Sequence, residues 1–116
     1  MDLDLPSVAD MVAELRRLTN EVERAMGEVF ALATELPELD KDFEVAYHSA
    51  VQRSKGASAD KRKADAVLAS IDQHEALQRV EVLLQAKRQF VNVLQTALSA
   101  AQSIAEIGRA SCRERV

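Results

Sequence analysis

The sequence predicts an all-α protein, folded as a long antiparallel helical hairpin. Three observations predict it. Apolar residues recur at steps of three and four along most of the chain. Helix breakers are scarce: before residue 106, glycine stands only at Gly27 and Gly56, and proline only at Pro6 and Pro37. The stretches on either side of "RSKGAS", residues 53–58, are equal in length and opposite in charge bias.

The first helix is expected over residues 8–54. Ser7 is its N-cap, with Asp10 three residues on as a capping-box variant. From Val8 the apolar positions are Met11, Leu15, Leu18, Val22, Ala25, Val29, Leu32 and Leu36, which are heptad a and d positions without a gap. The register continues past Pro37 through Leu39, Phe43, Ala46 and Ala50. Proline lacks the amide hydrogen and crowds the preceding turn. "TELPEL" adds no residue that would disturb the phase, so a kinked continuation is favoured over a full break.

The turn is placed at residues 55–58, with Gly56 at positive φ as the C-cap and Ser58 capping the next helix. That second helix is expected over residues 59–105. Ala64, Val67, Leu68 and Ile71 form one stripe; Leu77, Val80, Leu84, Val91, Leu94, Leu98, Ala101 and Ala105 form another. The steps from 71 to 77 lose one residue from the heptad, which reads as a stammer or a short break near "SIDQHE". At about 1.5 Å per residue each half could span roughly 70 Å.

The stripes are wider than a two-helix seam needs. Met26, Ala33 and Tyr47 flank the first; Leu83, Phe90, Val93 and Ala97 flank the second. Exposed apolar width of this kind implies a partner. Pairing of two hairpins, a homodimer, is favoured; another helical protein is the second kind of partner. The alternative architecture is a three-helix bundle in which the first helix folds back at Pro37.

Composition bounds the chemistry. Aromatics are limited to Phe30, Phe43, Tyr47 and Phe90, with no Trp. The one cysteine, Cys112, leaves no internal disulfide and no thiolate cluster. No signal peptide or membrane-length apolar run is visible, which points to the cytoplasm. Residues 1–54 hold five basic and twelve acidic side chains, a net −7; residues 55–105 hold seven and five, a net +2. An acidic chain is a poor general coat for nucleic acid.

No motif pairs a nucleophile with a base, and no phosphate loop, HExxH or CxxC is present. The reading is non-enzymatic, with no catalytic residue, cofactor or metal assigned. Asp40, Glu44 and His48 share a helix face, but one face cannot converge the three or four ligands a metal needs. His74 is expected to fill the packing irregularity beside Glu75. Phe43 and Tyr47, one turn apart, are read as core rather than as a binding platform. One cluster has binding chemistry. Arg53 and Lys55 precede the turn, and Lys61, Arg62 and Lys63 follow it, so a hairpin gathers five cations at one tip. Such a tip can grip phosphates, though it lacks the interleaved aromatics of a base-stacking surface.

The last residues break the pattern. "IGRASCRERV", residues 107–116, back-translates to ATC GGA AGA GCG TCG TGT AGG GAA AGA GTG, which resembles a widely used sequencing adapter read in one frame. Residues 106–116 are therefore expected to be a non-native tail, with Glu106 straddling the junction and the domain ending near Ala105.

From about Phe43 to Ile104, "VAYHSAV", "SADKRKADAVL" and "LQTALSAAQSI" resemble short helical proteins of tailed phages. The resemblance implies a phage origin, a small helical fold and residence in the host-cell cytoplasm, with no catalytic residue to transfer. The functional expectation is a structural or interaction protein acting by protein–protein contact. The alternatives are a nucleic-acid accessory factor using the basic tip, and an acidic inhibitor that imitates nucleic acid.

Overall fold

A computed structural model describes residues 7–114, with side chains to Ala110. It is all-helical: α1 Val8–Arg53, α2 Ala59–Ala69 and α3 Ile71–Glu114. Among the described residues there is no strand. The capping box at the start of α1 forms as expected. Asp10 N–H donates to Ser7 Oγ at 3.1 Å, and Ser7 N–H returns to Asp10 Oδ2 at 3.3 Å.

α1 is unbroken through Pro37. The fold-back that a three-helix bundle would require at that point is absent. The register explains the tolerance. Pro37 is exposed, while Leu36 and Leu39 on either side are half-buried, so the seam keeps its phase. From Met11 to Ala50 every expected seam residue is buried or half-buried, whereas Val8, the first of the expected row, is exposed in the opening turn of the helix.

The helix expected from residue 59 is interrupted, and of the two readings offered near "SIDQHE" it is the short break that forms, at the first residue of that stretch. Ser70 separates α2 from α3 at φ −108° and ψ 15°. It is fully buried, and its hydroxyl donates to the Ala66 carbonyl at 2.7 Å. Its own N–H donates to that same carbonyl at 3.0 Å. Serine bonding back to a carbonyl four residues earlier bends helices, and here it accompanies the break.

The stripe expected from Ala64, Val67, Leu68 and Ile71 is overturned. All four are exposed, Leu68 at 69%. The inward positions are Ala66, Ser70 and Gln73, which lead into Leu77, Val80 and Leu84 by steps of four, three, four, three and four. No residue is lost from the heptad, so there is no stammer. α3 also continues past Ala105, through the residues expected to be tail, to Glu114.

The chain divides into two compact units, Met1–Glu28 with Lys87–Val116, and Val29–Ala86. The first unit buries Leu18, Val22 and Ala25 of α1 with Val91, Leu94 and Ala105 of α3. Met11 lies against Gly108: a β-carbon there would stand 3.4 Å from Met11 Cε. At the other end of the unit Glu28 pairs with Lys87. As numbers rise along α1 they fall along α3, so the two segments are antiparallel.

The second unit buries Ala66, Ser70, Leu77 and Leu84. Phe43 meets His74 at a ring separation of 5.0 Å, and Ser54 bonds Asp65. The order again runs opposite on the two sides. Within this unit α1 and the α2–α3 segment are antiparallel.

Candidate nucleic-acid interface

The five cations of the expected tip all lie in the second unit. Arg53 ends α1, Lys55 stands in the connecting segment, and Lys61, Arg62 and Lys63 open α2. All five side chains are exposed. Three local features fix the backbone that presents them.

The first is the cap of α2. Ser58 is extended at φ −123° and ψ 159°, and its Oγ accepts from Lys61 N–H at 3.2 Å. Asp60 sits in the first turn, where a negative charge favours the helix dipole. The second is a short relay. Gly56 N–H donates to Ser54 Oγ at 3.2 Å, and that hydroxyl donates to Asp65 Oδ2 at 2.9 Å. It ties the end of α1, the turn and α2 together.

The third is Gly56, whose role differs from the one expected. No described residue, glycine included, has positive φ. Gly56 is instead a close-approach glycine. A β-carbon would stand 3.2 Å from Arg62 N and 3.2 Å from Lys61 Cγ. The missing side chain lets the connection pass against the start of α2 and brings Lys55 near Lys61 and Arg62.

Beside this tip lies an open groove of about 450 Å³, lined by Ala46, Ala50, Arg53, Lys55, Asp65 and Gln73 among others. It exists because three alanines, Ala46, Ala50 and Ala69, face it where larger residues would fill the seam. Gln73 Oε1 is buried there and accepts no hydrogen bond from the protein. Asp65 places an acid among the cations, already engaged by Ser54. Among the described residues, ion pairs join Arg17 to Glu14 and Glu21, and Lys87 to Glu28. None of the five tip cations takes part in one.

The other residues singled out from sequence fall elsewhere. Asp40, Glu44 and His48 are exposed on α1, and no group of three or more His, Cys, Asp or Glu comes together among the described residues. His48 packs edge-on against Tyr47 at 5.5 Å. Phe43 and Tyr47 are half-buried. His74 is exposed, yet its ring covers Phe43. Cys112 lies outside the residues whose side chains are described.

Sequence reasoning missed Ser54, Ser70 and Gln73. For the last two a signal existed: they stand where an uninterrupted heptad from Ala66 to Leu77 needs seam residues. The bond from Ser54 to Asp65 has no comparable signature. No described helix is long and apolar enough to cross a membrane. No family model, curated protein or solved structure matches the chain.

Proposed function

We propose that this protein is a non-enzymatic interaction protein that acts by helix-to-helix contact, with a second copy or another helical protein as its partner. In this reading the helices form one long antiparallel hairpin. The observation that supports it is the apolar surface left open in each unit. Met26, Phe90, Val93 and Ile104 are exposed in the first; Val45, Val67, Leu68 and Val82 are exposed in the second. Large apolar side chains left open in this number are what a contact region offers to a partner. The resemblance to short tailed-phage proteins fits a small contact protein working in the host cytoplasm.

A second reading, a nucleic-acid accessory factor, draws on the five exposed tip cations that stand outside any described ion pair. One titration separates the two. Binding to generic duplex DNA is measured by anisotropy across a salt series, for the wild type and for a variant with Lys61, Arg62 and Lys63 changed to Ala. The contact reading expects weak binding or none at physiological salt. A phosphate-gripping tip would show binding that weakens alike for all sequences in the variant, with the salt slope reduced by up to about three units. A nanomolar, sequence-selective complex would overturn the contact reading.

The adapter reading of residues 107–116 belongs to the same proposal. Deleting them is expected to move Tm by no more than about a degree or two, as near-neutral surface changes do. A larger drop would show that the contact between Gly108 and Met11 is part of the stable core.

A further inference from the structure

α3 carries a second heptad row beside its buried one. Phe90, Val93, Ala97, Ala100 and Ile104 follow steps of three, four, three and four, the spacing of the buried row one flank away. All five are exposed, with Phe90 at 46%, Val93 at 64% and Ile104 at 54%. Rows with this spacing pack knobs into holes against a helix of like spacing.

The order of sizes along the row names the partner. In an antiparallel pair of identical helices, residues equally far from the two-fold axis meet. With the axis level with Gln95, Phe90 meets Ala100 of the second copy, and Val93 meets its Ala97. Each layer sets a large side chain against a small one, which fills volume without overpacking. Each layer also joins an a-type to a d-type position, as antiparallel heptads require.

Charge agrees with shape. Residues 89–105 contain no charged side chain, although charged residues make up 29% of the chain. The polar neighbours of the row, among them Gln89, Asn92, Thr96 and Ser103, are neutral. Two copies of a chain with net charge −4 repel in general, but here they bring no like charges face to face. Depletion of charge at the centre of a patch, with neutral hydrogen-bonding groups around it, is the composition of a protein interface.

We propose that the exposed α3 row at Phe90, Val93, Ala97 and Ala100 is an isologous dimer interface, in which α3 packs antiparallel on α3 of a second copy about a two-fold axis at Gln95. This deepens the contact reading above and rests on it. The surface is self-complementary, as a two-fold interface must be.

The test uses the full chain with Cys112→Ser as background. Sedimentation at micromolar concentration should show a dimer. Ala97→Glu sets a charge close to its own copy across the axis, and is expected to raise the dimer Kd by about a hundredfold or more. Because Ala97 is exposed, far-UV circular dichroism should stay unchanged. Separately, mixed Val93→Cys and Ala97→Cys chains should form the heterotypic disulfide faster than either variant pairs with itself. A dimer indifferent to Ala97→Glu would overturn this face while leaving self-association standing. Dominant like-with-like disulfides would overturn the antiparallel register. A wild type that stays monomeric into the high-micromolar range would overturn the second copy as occupant, whereas the contact reading fails on the DNA titration instead.

Discussion

The two units hold the same heptad and fill it differently. In the first, Leu18, Val22, Val91 and Leu94 are buried along the seam. In the second, the stretch next to the turn is filled by Ala46, Ala50, Ala66, Ser70 and Gln73, and a groove of about 450 Å³ with polar walls remains; the first unit also opens at its far end, where a groove of about 580 Å³ is lined by Val8, Met11, Leu15 and Ala105. Spacing sets the direction and phase of a helix pair, whereas side-chain volume sets how tightly it closes. A fully buried Leu or Val contributes roughly 1.5–3 kcal/mol through area removed from water, while alanine contributes far less. The second unit instead carries polar contacts: the Ser54–Asp65 relay at the turn and the Ser70 hydroxyl bonded back to the Ala66 carbonyl at the helix break.

The largest expected effect lies in the tightly filled stretch of the first unit. Leu18 is only 5% exposed. Leu18→Ala is expected to cost about 2–4 kcal/mol, the sum of lost transfer energy and the cavity left behind. Urea denaturation of the two proteins measures it. A cost under about half a kcal/mol would mean that the site collapses freely, and that volume is not what distinguishes the units.

Gln73 gives the next effect, with opposite sign. Its Oε1 is buried without a protein donor, and it stands at a seam position in the loosely filled unit. A buried acceptor left without a partner costs about 1–3 kcal/mol. Gln73→Leu removes that cost and adds apolar volume toward the groove. It is expected to stabilise the protein by about 1–2 kcal/mol. Destabilisation would show that the amide is satisfied and that the polar seam is a requirement of the turn end.

These two residues also show how far the sequence can be read. Along the heptad seam, burial follows the spacing: Leu18, Val22, Ala25, Leu77, Leu84, Val91 and Leu94 are buried as expected, while Leu15, Leu32, Leu36 and Leu39 are half-buried. Both caps, at Ser7 and Ser58, were legible because short polar side chains stand where free amides need acceptors. The reading failed where apolar character and register part company. Val67 and Leu68 are apolar but face outward, while Ser70 and Gln73 are polar but face inward. Following hydrophobicity there produced a stammer that does not exist. Gly56 failed for another reason: a glycine tolerated for space looks the same in sequence as one needed for positive φ. The tip cations could be grouped from sequence because the turn was legible, but the groove beside them depends on three alanines meeting across two segments.

The relay at the turn offers a smaller effect. Ser54→Ala removes a donor to Asp65 and an acceptor for Gly56 N–H. Both bonds lie at or near the surface, so the expected loss is about 0.5–1.5 kcal/mol. The sharper readout is local. Amide exchange should accelerate in residues 54–62 and stay unchanged around Leu18 and Leu94. Uniform acceleration would erase the distinction between the units, because it would mean that they open together.

The smallest effect is a pH dependence at two carboxylates of the first unit. The hydrogen bond from Lys87, followed by its charge, holds the Glu28 carboxyl below its ordinary value. Arg17 acts on Glu14 in the same way, chiefly through its hydrogen bond. A carboxyl with a lowered folded pKa stabilises the fold above its unfolded value, and that contribution fades as pH falls through the folded value. Glu28→Gln should therefore differ from the wild type by a small, constant amount at neutral pH. The difference should shrink on acidification below the usual carboxylate range. Glu14 is exposed and Glu28 only half-covered, so both are open to screening; the neutral-pH difference should be the least of those predicted here and should weaken with added salt. A difference that grows on acidification would contradict the lowered pKa. One that persists undiminished in high salt would mean that the hydrogen bond from Lys87, and not the screened attraction of the two charges, carries the effect.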